Sequence, residues 1–314
     1  MESQLASTVL MIRPVRFESN PETADSNRFQ GRTSASAAEQ QRAALGEFDA
    51  LVAALREHGI EVLVVEDTPE PHTPDAVFPN NWVSLHADGR VLLYPMEARN
   101  RRLERRPDII ERLGEDHGFV VSEVVDLSGH EDEEQYLEGT GSMVLDRSGH
   151  VAYACLSSRT HLGPLGDFAQ RMDYEVISFD AVDRDGEPIY HTNVLMNVGE
   201  KLAVICDDAI HREDQRAAVL QRLRDSGRNV ISLNYDQLHA FAGNMLELRK
   251  PDGGRLVAMS RQALESLDEE QRRVLEDNGE IVAVPIDTIE ASAGGSVRCM
   301  LAEVHLPKGA REQE

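Results

Sequence analysis

Ser142-Met143-Val144-Leu145-Asp146-Arg147-Ser148-Gly149-His150-Val151-Ala152-Tyr153-Ala154 reads as two short apolar runs joined by a Ser-Gly turn, the signature of a β-hairpin. Glu138-Gly139-Thr140-Gly141 leads into it, a helical pattern follows around Leu165 to Met172, and a third apolar run spans Tyr174 to Phe179. The unit is ββαβ, and the chain writes it repeatedly. An earlier copy has Val77 to Leu85, a turn at Asp88-Gly89, Val91 to Tyr94, an Arg-rich helix near Asn100 to His117, and Phe119 to Val125. A later one opens at His191, with Val194 to Val198, Leu202 to Cys206, a helix at Asp214 to Ser226, and Val230 to Leu233. The next opens near Ala242, with Met245 to Leu248, Leu256 to Met259, a helix from Gln262 to Asn278, and Ile281 to Pro285.

A fifth copy is split between the ends. Val297 to His305 gives one strand, while Ser7 to Arg13, a helix over Ala37 to His58 and the run Ile60 to Glu66 give the rest. Starts recurring about every 50 to 60 residues suit a closed ring of five better than an open stack. The spacing therefore predicts one α/β domain over residues 1–314, a five-bladed ββαβ propeller closed by its two ends. Asn81, Ser142, Asn193, Asn244 and Ser296 are expected to meet near the axis. Between the first strand and its helix, Pro14 to Arg32 is a polar stretch of lid length, and the acidic run Glu131 to Glu134 reads as a solvated loop.

A formal charge of −24 argues against binding nucleic acid or an anionic membrane, both of which call for clustered positive charge. No apolar run reaches the roughly 18 residues of a membrane span, and the opening residues lack a signal-peptide pattern, so a cytoplasmic location is expected. Cys155, Cys206 and Cys299 are an odd set without CxxC spacing, which suggests neither disulfides nor a zinc knuckle.

A lone cysteine on an apolar run is most often a core filler. Cys299 differs because it follows Gly294-Gly295 in the fifth copy, while Glu138 and His191 open two others in register. Cysteine, histidine and carboxylate on one axis is the composition of a covalent hydrolase. A zinc site from the same three residues lacks any metal-binding spacing, and a catalytically silent ring that binds an amino acid or a protein is the reading from another class.

These residues resemble the pentein, or guanidine-modifying, superfamily of arginine deiminases, dimethylarginine dimethylaminohydrolases and amidinotransferases. Pro74-Asp75-Ala76-Val77-Phe78-Pro79-Asn80-Asn81 is similar to the family's P-D-x-V-F-x-E-D, Leu137 to Gly141 to its E-G-G-D, Ser158-Arg159-Thr160 to its S-x-R-T, and Gly295 to Cys299 to its G-x-x-x-C. The resemblance implies Cys299 as nucleophile, His191 as general acid and base, and Glu138 as its polar partner, with no cofactor. It also implies Arg159 and Arg102 on the substrate's α-carboxylate and Asp75 on another polar group. Asn80, Asn81 and Asn193 stand where deiminases carry carboxylates, and with Asn244 they are expected to bind the reacting end of the substrate. An amide suits a neutral ureido group better than a guanidinium. The expected substrate is accordingly citrulline, as in the bacterial citrulline-utilisation branch, with deiminase, dimethylargininase or amidinotransferase chemistry as the alternative. The only partner implied is this small amino acid; the oligomeric state, a homodimer included, is left open.

Overall fold

The computed structural model describes residues 2–31 and 35–309. Its strands form five separate three-stranded sheets. The first complete one joins Val83–Leu85 (β3), Arg90–Leu93 (β4) and Glu123–Asp126 (β5), with Thr8–Arg13 (β1) and Glu61–Glu66 (β2) preceding it in the chain. The next three are Met143–Asp146 (β6), Val151–Cys155 (β7) and Glu175–Phe179 (β8); Met196–Val198 (β9), Leu202–Ile205 (β10) and Asn229–Ser232 (β11); and Leu246–Arg249 (β12), Arg255–Ser260 (β13) and Glu280–Val284 (β14). In each, the middle strand runs antiparallel to the one before it and parallel to the one after the helix.

The split copy obeys the same rule. Ala302–Glu303 (β15) pairs antiparallel with β1 in the register Val9↔Glu303, and β1 pairs parallel with β2 across Ala37–Glu57 (α1). The two ends of the chain thus complete one blade, as the repeat requires. The apolar faces of adjacent blades pack into continuous clusters, one of which runs from α1 to Cys299. Among the described residues, no helix is long and apolar enough to cross a membrane.

At the axis the expectation of plain strands is corrected. In four of the five blades the chain coils just before the first strand: Pro79–Asn81, Gly139–Ser142, Thr192–Leu195 and Val297–Met300 are single helical turns. Cys299 therefore sits in a turn rather than on a strand. A short apolar run looks the same by periodicity in either conformation, and the Asn and Gly residues at these starts favour turns.

Two predicted helices are also broken. Pro107 excludes a helical Arg106, so the Arg-rich segment divides into Arg101–Glu104 and Pro107–Glu115. Asp268 caps a new helix at Glu269–Asn278, separate from Arg261–Ser266. The polar stretch after β1 folds over the ring's axis through residue 31; its predicted last residue, Arg32, lies outside the described residues.

Candidate active site

The turns at the blade starts surround a narrow cavity of about 10 Å³, room for about one water molecule, onto which Asp75, Asn81, Arg101, Arg159, His191 and Cys299 all face. All six are almost fully buried.

Glu138 caps the turn Gly139–Ser142 and is wholly buried beneath the cavity. Its Oε2 accepts from His191 Nε2 at 2.9 Å, and Arg159 and Arg101 approach the same oxygen at 3.5 and 3.6 Å. Burial alone would raise this carboxyl, but Arg159, the His191 hydrogen bond and Arg101 outweigh it and hold Glu138 well below the usual carboxylate range. An ionised carboxylate only accepts, so Nε2 of His191 carries the proton and Nδ1 is left bare. Burial lowers His191 to about 4, with Glu138 offsetting only part of that shift. The imidazole is thus a neutral base at physiological pH, oriented by an anion that would stabilise its protonated form.

Two glycines make this arrangement possible. Gly139 has φ of +48°, and a Cβ there would meet the carbonyl oxygen of Asn80 at 2.3 Å. At Gly141 a Cβ would come within 2.4 Å of Asn81 Nδ2 and 2.7 Å of His191 Nδ1. Gly141 therefore leaves the room in which amide and imidazole converge.

The titration of His191 is a direct check. In protein labelled with ¹⁵N-histidine, its imidazole signal should change with a midpoint near pH 4; a midpoint near the ordinary ~6.5 would contradict the buried pair. Because the unfolded chain takes up this proton at higher pH than the native one, stability falls as pH drops from about 6.5 towards 4. The site's share of that loss is about 3 kcal/mol.

The predicted binding residues divide into three groups. Asp75, Asn81 and Arg159 line the cavity. Asp75 Oδ2 accepts from Asn20 Nδ2 at 2.7 Å, while its Oδ1 is buried without a partner. Asn81 Oδ1 accepts from Arg101 Nη1 at 3.0 Å, which turns its unpartnered Nδ2 the other way, beside His191. Arg159 stacks over Tyr190, 5.0 Å from the ring centre, and donates to Ser26 Oγ at 2.8 Å.

The second group lies one contact further out. Asn80 Nδ2 donates to Thr140 Oγ1 at 3.2 Å and braces adjacent blades. Asn193 and Asn244 reach the sulfur of Cys299, with Nδ2 at 3.5 and 3.2 Å, rather than the cavity wall. The hydrogen bonds of that sulfur among the described residues go to these amides, not to His191.

Arg102 is displaced altogether. Its guanidinium turns outward to the carbonyl of Met96, Glu131 and the Tyr136 ring, and Arg101 occupies the cavity wall in its place, bidentate to Glu104. The helical turn Arg101–Glu104 sends consecutive side chains in different directions, and a run of arginines does not reveal which points inward. Glu131 is corrected with it: it pairs with Arg105 as well as Arg102 and accepts from Met96 N at 2.9 Å, so it is a structural anchor rather than part of a solvated run. Tyr190 also lines the cavity without having been singled out, beside Phe78 and Gly295 of the quoted motifs.

The polar stretch closes the mouth. Asn20 and Thr23 reach Asp75, Ser26 reaches Arg159, Asn27 Nδ2 donates to the Ala293 carbonyl at 3.0 Å, and Phe29 packs against Tyr190 and Phe241. Among the described residues, no group of three or more His, Cys, Asp or Glu side chains is placed to hold a metal ion.

Residues 13–306 match the family described as N,N dimethylarginine dimethylhydrolase, eukaryotic. No curated protein sequence matches the chain. Among solved structures, ArgZ, an arginine dihydrolase from the ornithine-ammonia cycle in Cyanobacteria, is similar at 19% identity with a TM-score of 0.71, over 96% of this chain and 41% of that one. Unliganded AgrE gives 20% identity and 0.72, over 97% and 40%. The chain thus spans about two fifths of those proteins, although it covers 99% of the N-terminal domain of ArgZ. A dimethylarginine dimethylaminohydrolase bound to S-methyl-L-thiocitrulline gives 15% identity and 0.62, over 96% and 99%. With five ββαβ blades and a match across nearly its whole length, the chain belongs to the N,N-dimethylarginine dimethylhydrolase family of pentein-fold hydrolases.

Proposed function

We propose that the protein hydrolyses citrulline to ornithine, carbon dioxide and ammonia through a covalent intermediate on Cys299. One observation carries this reading: among the described residues Asp75 is the only carboxylate lining the cavity, and the hydrogen-bond partners of the sulfur are side-chain amides. Asp75 is suited to the substrate's α-ammonium and Arg159 to its α-carboxylate, by charge-assisted hydrogen bonds. A zwitterion held that way leaves no free anion for a guanidinium, whereas a ureido group needs none.

In the first step the Cys299 sulfur attacks the ureido carbon while its proton passes to Nδ1 of His191. Glu138 steadies the resulting imidazolium through Nε2. His191 then gives the proton to the departing δ-amine, which leaves ornithine and a thiocarbamate on Cys299. In the second step neutral His191 takes a proton from water, the hydroxyl adds to the thiocarbamate, and the thiol departs with that proton. Carbamic acid is released and breaks down to carbon dioxide and ammonia. With citrulline labelled by ¹³C at the ureido carbon, ornithine, labelled carbon dioxide and ammonia should form in equal amounts; no ornithine from citrulline would overturn the reading.

A guanidino substrate is the second reading. It is favoured by the family match, by the dihydrolase activity of ArgZ, and by the unpartnered Oδ1 of Asp75 if that oxygen faces a guanidinium instead.

Arg159 separates binding from chemistry less cleanly than a remote anchor would, because it is also the leading counter-charge of Glu138. The informative comparison is therefore between substrates. Native protein should prefer citrulline over its decarboxylated analogue, and Arg159→Ala should lower that preference by about tenfold or more. An unchanged preference would remove Arg159 from the carboxylate.

A further inference from the structure

Asn244, at the start of the fourth blade, is completely buried. Its Nδ2 donates to the main-chain carbonyl of Asn193 at 2.9 Å and lies 3.2 Å from Cys299 Sγ. A main-chain carbonyl only accepts, so the NH₂ end of the amide, not its oxygen, must face Asn193. One of the two amide hydrogens is used there, and the other is directed at the sulfur. From the third blade, Asn193 Nδ2 approaches the same sulfur at 3.5 Å, although no comparable bond fixes which end of its amide faces inward.

From this geometry, and on the covalent reading above, we infer that Asn244 is a catalytic residue that stabilises the negative charge on the Cys299 sulfur as its proton leaves, its N–H aimed in advance by the Asn193 carbonyl. In the thiol form the S–H can donate to the amide oxygens, 3.6 Å away in Asn244 and 3.8 Å in Asn193. Once the proton has left, the N–H groups face a full negative charge, and hydrogen bonds to an ionised acceptor are roughly twice as strong as neutral ones. The same donor receives charge back when the thiocarbamate collapses. Because it is held before reaction, it needs no reorganisation as charge develops. The blade starts thereby divide the work: His191 handles the proton, and Asn244 handles the sulfur.

The test uses the full chain and reads the sulfur directly, through the rate at which iodoacetamide alkylates Cys299, followed by mass against pH. The other ionisable groups facing this region, His191, Tyr190, Arg101, Arg159 and the adjacent Arg298, remain in place in every variant. Asn244→Ala should slow alkylation at pH 7 by about tenfold or more and move its midpoint upward by about one unit. It should also lower kcat with little change in KM. Asn244→Asp keeps the size of the side chain, so it tests the idea even if the alanine variant folds poorly; a carboxylate beside the sulfur should slow alkylation further still. Asn193→Ala retains the main-chain carbonyl that orients Asn244 and should have the smaller effect. Native alkylation rates and midpoints in both Asn244 variants would overturn the inference, as would a loss of melting temperature with sulfur reactivity unchanged. Should the covalent reading itself be wrong, Cys299→Ser would retain turnover whatever the alkylation series shows, so the two failures are distinguishable.

Discussion

Cys299→Ser is expected to reduce turnover by at least about 10⁴-fold, the scale lost when a nucleophile that works as one unit with its base is removed. Serine keeps the size and the hydrogen bonds to Asn193 and Asn244 but replaces the thiol by a far less acidic hydroxyl. His191→Ala should cost a similar factor, because neither the thiol proton nor the attacking water would then have an acceptor. If hydrolysis slows more than attack in that variant, intact mass should show Cys299 carrying one carbamoyl group after incubation with citrulline. Cys155 and Cys206 are controls. Burial pushes both thiols up to about 12, and the Cys155 sulfur donates to the Ile189 carbonyl at 3.1 Å. Their serine variants should retain most of the activity, and native activity in Cys299→Ser would end the covalent account.

The ring was legible because four features recur together: an antiparallel pair, a tight Gly-containing turn, a helix and a parallel third strand. Even the divided blade could be assembled, since Ser7 to Arg13 and Ile60 to Glu66 lacked only the strand that the C-terminal run provides. Less legible was the axis, where local pattern and tertiary position separate. Val297 to Met300 is as apolar as a strand, yet it turns so that Cys299 meets amides from two other blades. Residue type drew Asn80, Asn81, Asn193 and Asn244 into one binding group; geometry gives them three different tasks. The same limit explains Arg102, since which of two adjacent arginines faces inward depends on the phase of a single helical turn. Asn20 and Asn27 belonged visibly to a polar stretch of lid length, but the groups they would meet, Asp75 and the Ala293 carbonyl, lie on distant segments.

Citrulline should be turned over with kcat/KM about 10²- to 10³-fold above arginine. The estimate follows from a guanidinium buried without an anion, at about 3–5 kcal/mol for removing one partner of a buried pair. Arg159 is matched by Glu138, and Arg101 by Glu104 and, at 3.7 Å, by Asp75 Oδ2, which leaves the unpartnered Oδ1 of Asp75 as the acceptor the cavity offers an ammonium group. A zwitterionic amino acid uses that acceptor for its α-ammonium. Arginine brings a second cation, and near the sulfur it meets Asn81, His191 and the two amides. Asn81→Asp should narrow the difference, since the Arg101 hydrogen bond survives while a second oxygen replaces Nδ2 beside His191. The direct measurement is the ratio of kcat/KM for citrulline and arginine in the unmodified protein, with products identified by mass. Ornithine from citrulline at a ratio of about 10² or more is the expected result, and a faster reaction with arginine would contradict the account.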